Sequence, residues 1–312
     1  MDTQEACDRI AVMRRQEEEV YRCSDYLSVE HVCMSIEAET TRQDPPHRFT
    51  SRAIDSDCRR KMADWCFQVV DFCKFSRETV DVAIGYLDRY LGTFSMRSSL
   101  AHNSRKEFQL VAMTALYLAV KINEPLEMDT ELVSELSKGS YSAREVAETE
   151  SDILNALNWR LSRPTALGFV RHFLSLLPNT IAEGPGVSKT LLELSRFQTE
   201  LAVSDYYFVT KNASDVAFAA ILNSMEAVAL DPTEKLQYIV AMEVVSNSNL
   251  SSCAMGKVQS RLMGAFVKSC GYDFRLVPLN LDVSTVAAGS PKRRFSMDGE
   301  ASPVYVSDLQ YQ

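Results

Sequence analysis

Between Phe108 and Val120 the chain reads Phe-Gln-Leu-Val-Ala-Met-Thr-Ala-Leu-Tyr-Leu-Ala-Val, apolar on nearly every side, and it is closed abruptly by Lys121. Ser104-x-x-Glu107 just ahead has the form of a capping box, so the stretch predicts one helix that is buried all round. Such a helix needs neighbours on every face. It is too short to cross a bilayer, which takes about 20 apolar residues, and Lys106, Glu107 and Lys121 flank it closely. It is therefore expected to be the hub of a soluble helical domain.

The surrounding sequence supplies the neighbours. A short helix is expected through Arg14 to Tyr26 in a polar, acid-rich extension, residues 1–50, that breaks at Pro45-Pro46. Asp55-Ser56 is an N-cap signal for a helix in which Met62, Cys66, Val69 and Cys73 share a face. Ser76 heads a second helix, with Val80, Ile84, Leu87 and Leu91 aligned and Gly92 at its end. The hub is third. Asp129 opens a fourth, Thr130 to Leu136, and the capping box Ser142-x-x-Glu145 starts a fifth that runs to Leu157. Past Pro164 a second series follows over about Ala166–Leu177, Ser188–Val203, Ala213–Leu230, Thr233–Val245 and Ser251–Cys270, with Asp231-Pro232 as a helix stop. No sustained period-two alternation marks a strand. The expected fold class is all-α, with two five-helix units at 51–161 and 162–275. Residues 276–312 are rich in Ser, Pro, Gly and charge, the composition of a disordered tail. In that tail Ser290-Pro291-Lys292-Arg293-Arg294 reads as solvated chain, a proline-directed phosphosite at Ser290 or a nuclear-import signal.

A net charge of −9 argues against phosphate-backbone binding as the main activity and in favour of a protein partner. Eight cysteines occur without a C-x-x-C pair and without His at metal-ligand spacing, so they are expected to be reduced, mostly buried thiols and not a disulfide or zinc framework. The first residues, Met-Asp-Thr-Gln-Glu, lack a basic run followed by an apolar one, and no secretory signal is expected. The expected address is nucleus and cytoplasm. No nucleotide-binding glycine loop, nucleophile elbow, zinc-protease or calcium-loop pattern is found, and His31, His47, His102 and His172 are scattered. Neither an enzyme nor a cofactor is expected.

Charge in apolar places carries the functional signal instead. Lys121 ends the most buried helix, and Glu150 falls on the stripe of Val146, Ile153, Leu154 and Leu157. Arg59 heads the first helix, and Asp88 lies inside the apolar second one. Burying an unpaired charge costs several kcal/mol, so each requires a partner or an exposed edge. The least costly arrangement pairs Lys121 with Glu150 and Arg59 with Asp88. These are either structural bridges that orient helices, or, at the rim of a groove, groups that also offer spare donors and acceptors to a partner's backbone.

Arg59-Arg60-Lys61-Met62-Ala63-Asp64-Trp65, Tyr86-Leu87-Asp88-Arg89-Tyr90-Leu91, Gln109-Leu110-Val111, Ala119-Val120-Lys121 and the helix around Glu150, followed by Trp159, stand in the order and near-spacing of the cyclin box. The chain resembles the cyclin family over about Ser51–Leu177, and more loosely to Cys270. The resemblance implies two tandem cyclin-box folds and a regulatory subunit that activates a cyclin-dependent Ser/Thr kinase in the cell cycle. It further implies that Lys121 and Glu150 hold the kinase's mobile helix and that Arg59 and Asp88 form an internal bridge. Met62, Trp65, Gln109 and Leu110 would belong to, or support, a patch that docks substrates and inhibitors carrying Arg-x-Leu motifs.

The sequence departs from the family at Cys58-Arg59-Arg60-Lys61-Met62, where Met-Arg-Ala-Ile-Leu is usual. A cation replaces an aliphatic residue, so docking is either lost or turned towards acidic ligands. No Leu-x-Cys-x-Glu motif is present, and Arg97-Ser98-Ser99-Leu100 matches a destruction-box pattern only inside the box; a D-like or G1 type is expected over a mitotic one. The alternatives are a two-domain cyclin-like transcription factor that binds DNA, and a cyclin-fold scaffold that activates no kinase.

Overall fold

The computed structural model describes residues 3–28, 53–93, 95–125, 128, 130–182, 186–228, 230–246 and 252–270. Every regular element among them is helical: α1 (Thr3–Glu19), α2 (Ser56–Cys73), α3 (Glu78–Leu91), α4 (Met96–Asn103), α5 (Arg105–Asn123), α6 (Thr130–Leu136) and α7 (Ala143–Ala156), then α8 (Ala166–Leu174), α9 (Asn179–Ala182), α10 (Val187–Ser204), a 3-10 turn (Tyr206–Phe208), α11 (Ala213–Ala227), α12 (Pro232–Ser246) and α13 (Cys253–Cys270). The chain is all-α. The expected tail, Ser290 within it, Asp129 and Pro45-Pro46 lie outside the described residues.

The helices fall into two compact units. The first contains α2 to α7, joined by residues 22–28 and 203–210. In it α5 is buried at Phe108 and from Leu110 to Val120, with only Gln109 half-buried between them, and packs against α2, α3, α4, α6 and α7. Its N-cap is Ser104, whose side chain accepts from the Glu107 N–H. Asp55 accepts from Cys58 N–H at 2.8 Å and caps α2, and the reciprocal capping box of Ser142 and Glu145 opens α7. At the head of α3 the Ser76 hydroxyl takes only a 3.3 Å bond from Glu78 N–H, whereas Glu124, at the end of α5, accepts from Ser76 N–H at 2.9 Å and from the Thr79 hydroxyl. Arg77, at the N-cap of α3, makes no side-chain cap bond, and Glu124 instead ties the entry of α3 to the end of α5.

The second unit contains α1 and α8 to α13, apart from residues 203–210. Its centre is α11, buried from Ala213 to Met225 except at the half-buried Asp215, and packed against α8 and α13. Besides the short α9 and the 3-10 turn, which the pattern did not announce, two helical segments differ from the expectation. The amino-terminal helix lies at Thr3–Glu19 and not at Arg14–Tyr26. Its Gln, Glu, Arg and Ala are strong helix formers, tied by Arg9–Glu5 (2.8 Å) and Arg14–Glu18 (3.1 Å). The Val, Cys and Tyr residues that follow are weaker ones. A further helix, α4, occupies Met96–Asn103, where Ser98-Ser99 and the lack of an apolar stripe hide it from periodicity. Seven described cysteines are free thiols, of which only Cys58 and Cys66 are buried. No described helix is long and apolar enough to cross a membrane, and the described residues hold no metal-ligand cluster.

Candidate functional site

The two pairs of misplaced charges are both formed, in different surroundings. Arg59 on α2 grips Asp88 on α3 with two bonds, Nε to Oδ1 at 2.8 Å and Nη2 to Oδ2 at 2.7 Å. Nη1 donates to the Val203 carbonyl at 2.7 Å, and the buried Tyr26 hydroxyl donates to Asp88 Oδ1 at 2.9 Å. Burial alone would lower the guanidinium's pKa, but Asp88 outweighs it and drives the value above the ordinary one. This pair is closed and fully bonded; it ties α2, α3 and two connecting segments together.

Lys121 and Glu150 form the open pair. Lys121 stands in the last turn of α5, where the helix carbonyls favour a cation, and Nζ donates to Glu150 Oε1 on α7 at 2.9 Å. The ammonium also lies 5.4 Å from the centre of the Tyr117 ring. The lysine side chain is 49% exposed and the glutamate 14%, so the carboxylate is pinned while the cation still faces water. Its pKa is raised, chiefly by the hydrogen bond to Glu150.

Large apolar side chains of the same unit also face solvent: Ile122 next to the lysine, Phe72 at the end of α2, and Trp159 beyond α7. Trp159 is 68% exposed. Its position follows from the end of α7, where Trp159 N–H bonds the Leu154 carbonyl and Asn158 N–H bonds that of Asn155, a Schellman closure with Asn158 left-handed at φ 51°. Ile122 and Phe72 were not singled out from the sequence, and Trp159 was noted only as part of the family resemblance. Periodicity marks which residues share a face, not which face is left uncovered.

The proposed docking residues are arranged differently from a surface patch. Met62 and Trp65 on α2 and Leu110 on α5 are each at most 2% exposed, because the helical period turns them into the core. They offer a ligand almost no apolar area, and serve any docking surface chiefly from beneath. Gln109 is half-buried, and its Oε1 accepts from the Tyr141 hydroxyl at 2.8 Å. Lys61 is already paired with Asp57 at 3.1 Å, and Arg60 bonds Asp57 and Asp64. Lys61, the cation expected to turn docking towards acidic ligands, thus already has an acidic partner on its own helix.

The family described as "Cyclin, N-terminal domain" matches residues 13–162, which include all four ion-pair residues. Over these residues the chain carries a cyclin N-terminal domain. Similar proteins include G2/mitotic-specific cyclin-B2 of Gallus gallus, 29% identical over 67% of this chain and 48% of that protein. Cyclin-A3-2 of Oryza sativa subsp. japonica is 28% identical over 71% of this chain and 55% of its own length. G1/S-specific cyclin-D1 of Mus musculus is 26% identical over 57% of each. The chain spans about half the length of these cyclins. Among solved structures, a viral cyclin from herpesvirus saimiri shares the fold, with a TM-score of 0.53, 17% identity, and coverage of 75% of this chain and 95% of that one. Mitotic-specific and G1/S-specific cyclins both match, so similarity does not select the G1 type expected from the sequence.

Proposed function

We propose that this chain is the regulatory subunit of a cyclin-dependent Ser/Thr kinase, acting in the cell cycle in the nucleus and cytoplasm. The observation that carries the reading is the Lys121–Glu150 bond, 2.9 Å long with its cation half exposed. An ammonium has three N–H donors and a carboxylate several acceptor sites, so the pair retains hydrogen-bonding capacity beyond the bond it makes. That capacity suits backbone groups of a partner's helix. In this reading residues 51–161 face the kinase and 162–275 form the second cyclin fold. Lys121 and Glu150 hold the kinase's mobile helix inward so that its catalytic Lys–Glu pair forms. The chain performs no chemistry; its binding energy shifts the kinase between two conformations. Exposed Ile122, Phe72 and Trp159 add apolar area to such an interface. Docking of Arg-x-Leu substrates and inhibitors falls to the surface around Gln109 and Lys61, with Met62, Trp65 and Leu110 shaping it from below.

The test is capture of kinase from synchronised cells by the tagged chain, followed by phosphorylation of histone. Lys121→Ala and Glu150→Ala are each expected to reduce both capture and activity. Unchanged capture and activity by both variants would overturn the assignment.

A further inference from the structure

We propose that a cleft on the first unit, walled by α4, the start of α5 and α7, docks a partner segment that carries a basic side chain beside a bulky apolar one. The cleft encloses about 640 Å³, and Met96, Arg97, Leu100, Glu107, Glu145 and Asp152 supply its chemistry. That volume lies within the range of ligand pockets. Neither Lys121 nor Glu150 lines it, nor do Met62, Trp65 and Gln109. It is thus separate from the kinase-facing pair and from the docking residues expected from the sequence, apart from Leu110 at its edge.

Two features fix the occupant's chemistry. The first is apolar. Met96 and Leu100 stand one turn apart on α4 and are 68% and 44% exposed, forming a ridge along the cleft. An unbranched thioether adapts to varied apolar shapes. The second is charge. Three carboxylates, Glu107, Glu145 and Asp152, line the cleft against one guanidinium. Arg97 is already committed: Nε is 2.8 Å from Asp152, Nη1 donates to Thr149 Oγ1 at 2.9 Å, and Glu107 lies 3.9 Å away. Lys106 is directed over the Tyr141 ring, 5.9 Å from its centre, and does not line the cleft. Glu145 spends Oε2 on Ser142, and Glu107 has no closer cation than Arg97 among the cleft's lining residues. An anionic segment is repelled here, and a purely apolar one leaves the acids unmatched. A Lys or Arg placed against Glu107, with its neighbour's ring or branched chain on Met96 and Leu100, satisfies both features.

The experiment is methyl NMR of the full chain labelled with 13C at the methionine methyls, the Met96 signal being assigned through Met96→Leu. The probe is the peptide Gly-Ser-Gly-Lys-Ser-Phe-Gly-Ser-Gly, whose Lys and Phe share one side when extended. Expected is a saturable shift of the Met96 signal. Peptides with Glu in place of Lys, or Ser in place of Phe, bind at least tenfold more weakly, as does the parent peptide to the variants Glu107→Gln and Leu100→Ser. Kinase capture by the Leu100→Ser chain stays at the wild-type level, so failure here and failure of the kinase reading are told apart. The proposal is overturned if Met96 does not respond at millimolar peptide or responds equally to the Glu peptide. It is likewise overturned if a response appears only after Lys292, Arg293 and Arg294 are replaced by Ala, which would make the chain's own basic run the occupant.

Discussion

The first unit contains two ion pairs of similar length that do opposite work. Arg59–Asp88 is at most 8% exposed on either side chain and has further bonds to Tyr26 and Val203. Lys121–Glu150 has only its carboxylate pinned, and its cation is half open to water. A closed pair holds the fold and has little left to offer a partner. An open pair adds little to the fold and keeps its bonding capacity for another molecule. In the proposed reading burial, not the presence of a salt bridge, separates the structural pair from the recognition pair.

Breaking the closed pair gives the largest expected effect. Arg59→Ala leaves the Asp88 carboxylate buried without its counter-ion, with an expected loss of about 3–5 kcal/mol of stability. For a unit of this size that lowers the melting temperature by roughly 10 °C or more, readable by circular dichroism. Asp88→Ala is expected to do the same and also to strand the Tyr26 hydroxyl. Because each single change creates the same kind of orphan, Arg59→Met combined with Asp88→Leu should cost less than the sum of the two single losses. Additive losses would mean that the two side chains act separately, and the contrast between closed and open pairs would fail.

The open pair should reverse the pattern. Lys121→Ala is expected to change stability by less than about 1 kcal/mol, as for other exposed pairs. In a kinase-binding titration it should cost about 2 kcal/mol, roughly a 30-fold rise in Kd, because Glu150 would be desolvated without a partner at the interface. A variant that melts early but binds normally would assign Lys121 to the fold and remove the basis of the kinase reading.

How much of this was legible in the sequence follows from what each feature depends on. The hub helix α5, the caps at Asp55, Ser104 and Ser142, and both ion pairs were readable, because a run of apolar residues, a capping box and a charge in an apolar stripe are local signals with large energetic consequences. Helix α4 was not, since Ser98 and Ser99 are neutral in propensity, its Ser95 cap is one 3.2 Å bond from Ser98 N–H, and the packing of Ala101 and His102 against the unit supports it. Non-local ties were equally invisible: Glu124 reaches Ser76 across 48 positions. The pairing of Lys61 with Asp57 and the burial of Trp65 decide whether the docking residues are accessible, and both depend on how α2 rotates against its neighbours.

Helix α7 carries the open pair's carboxylate, and its capping box offers a smaller test. Ser142→Ala removes the bond from Glu145 N–H and should cost about 1 kcal/mol. The Glu145 carboxyl is held below its usual range first by the Ser142 backbone N–H and then by its hydroxyl. Its contribution is therefore present above the ordinary glutamate pKa and lost as pH falls through the lowered one. The difference in stability between wild type and Ser142→Ala should shrink on acidification. Kinase binding should change much less than for Lys121→Ala, since the cap steadies α7 without touching a partner. Equal losses of binding from the two variants would show that the position of α7, and not the lysine's donors, carries recognition.

The smallest expected effect concerns a third buried charge, in the other unit. Glu17 on α1 is 4% exposed and is held by Ser214, whose N–H donates to Oε2 at 3.0 Å and whose hydroxyl donates to Oε1, at the head of α11. Asn212, the N-cap of α11, makes no side-chain cap bond, so Glu17 performs that duty from another helix. Unlike Asp88 it has no bidentate guanidinium: burial raises its pKa, and the Ser214 bonds and Arg14 only partly offset the rise. With the folded value above the unfolded one, the folded state holds more protons between the two values, so stability rises as pH falls through that window. Glu17→Gln keeps an acceptor for the Ser214 N–H and should change neutral-pH stability by less than about 1 kcal/mol. It should also flatten the gain that acidification from neutral towards the ordinary glutamate range brings. Asp215, raised by its own burial, shifts in the same direction and leaves part of the slope in place. Melting curves of wild type and variant that stay parallel over that range would show that Glu17 is as well compensated by hydrogen bonds as Asp88 is by its cation.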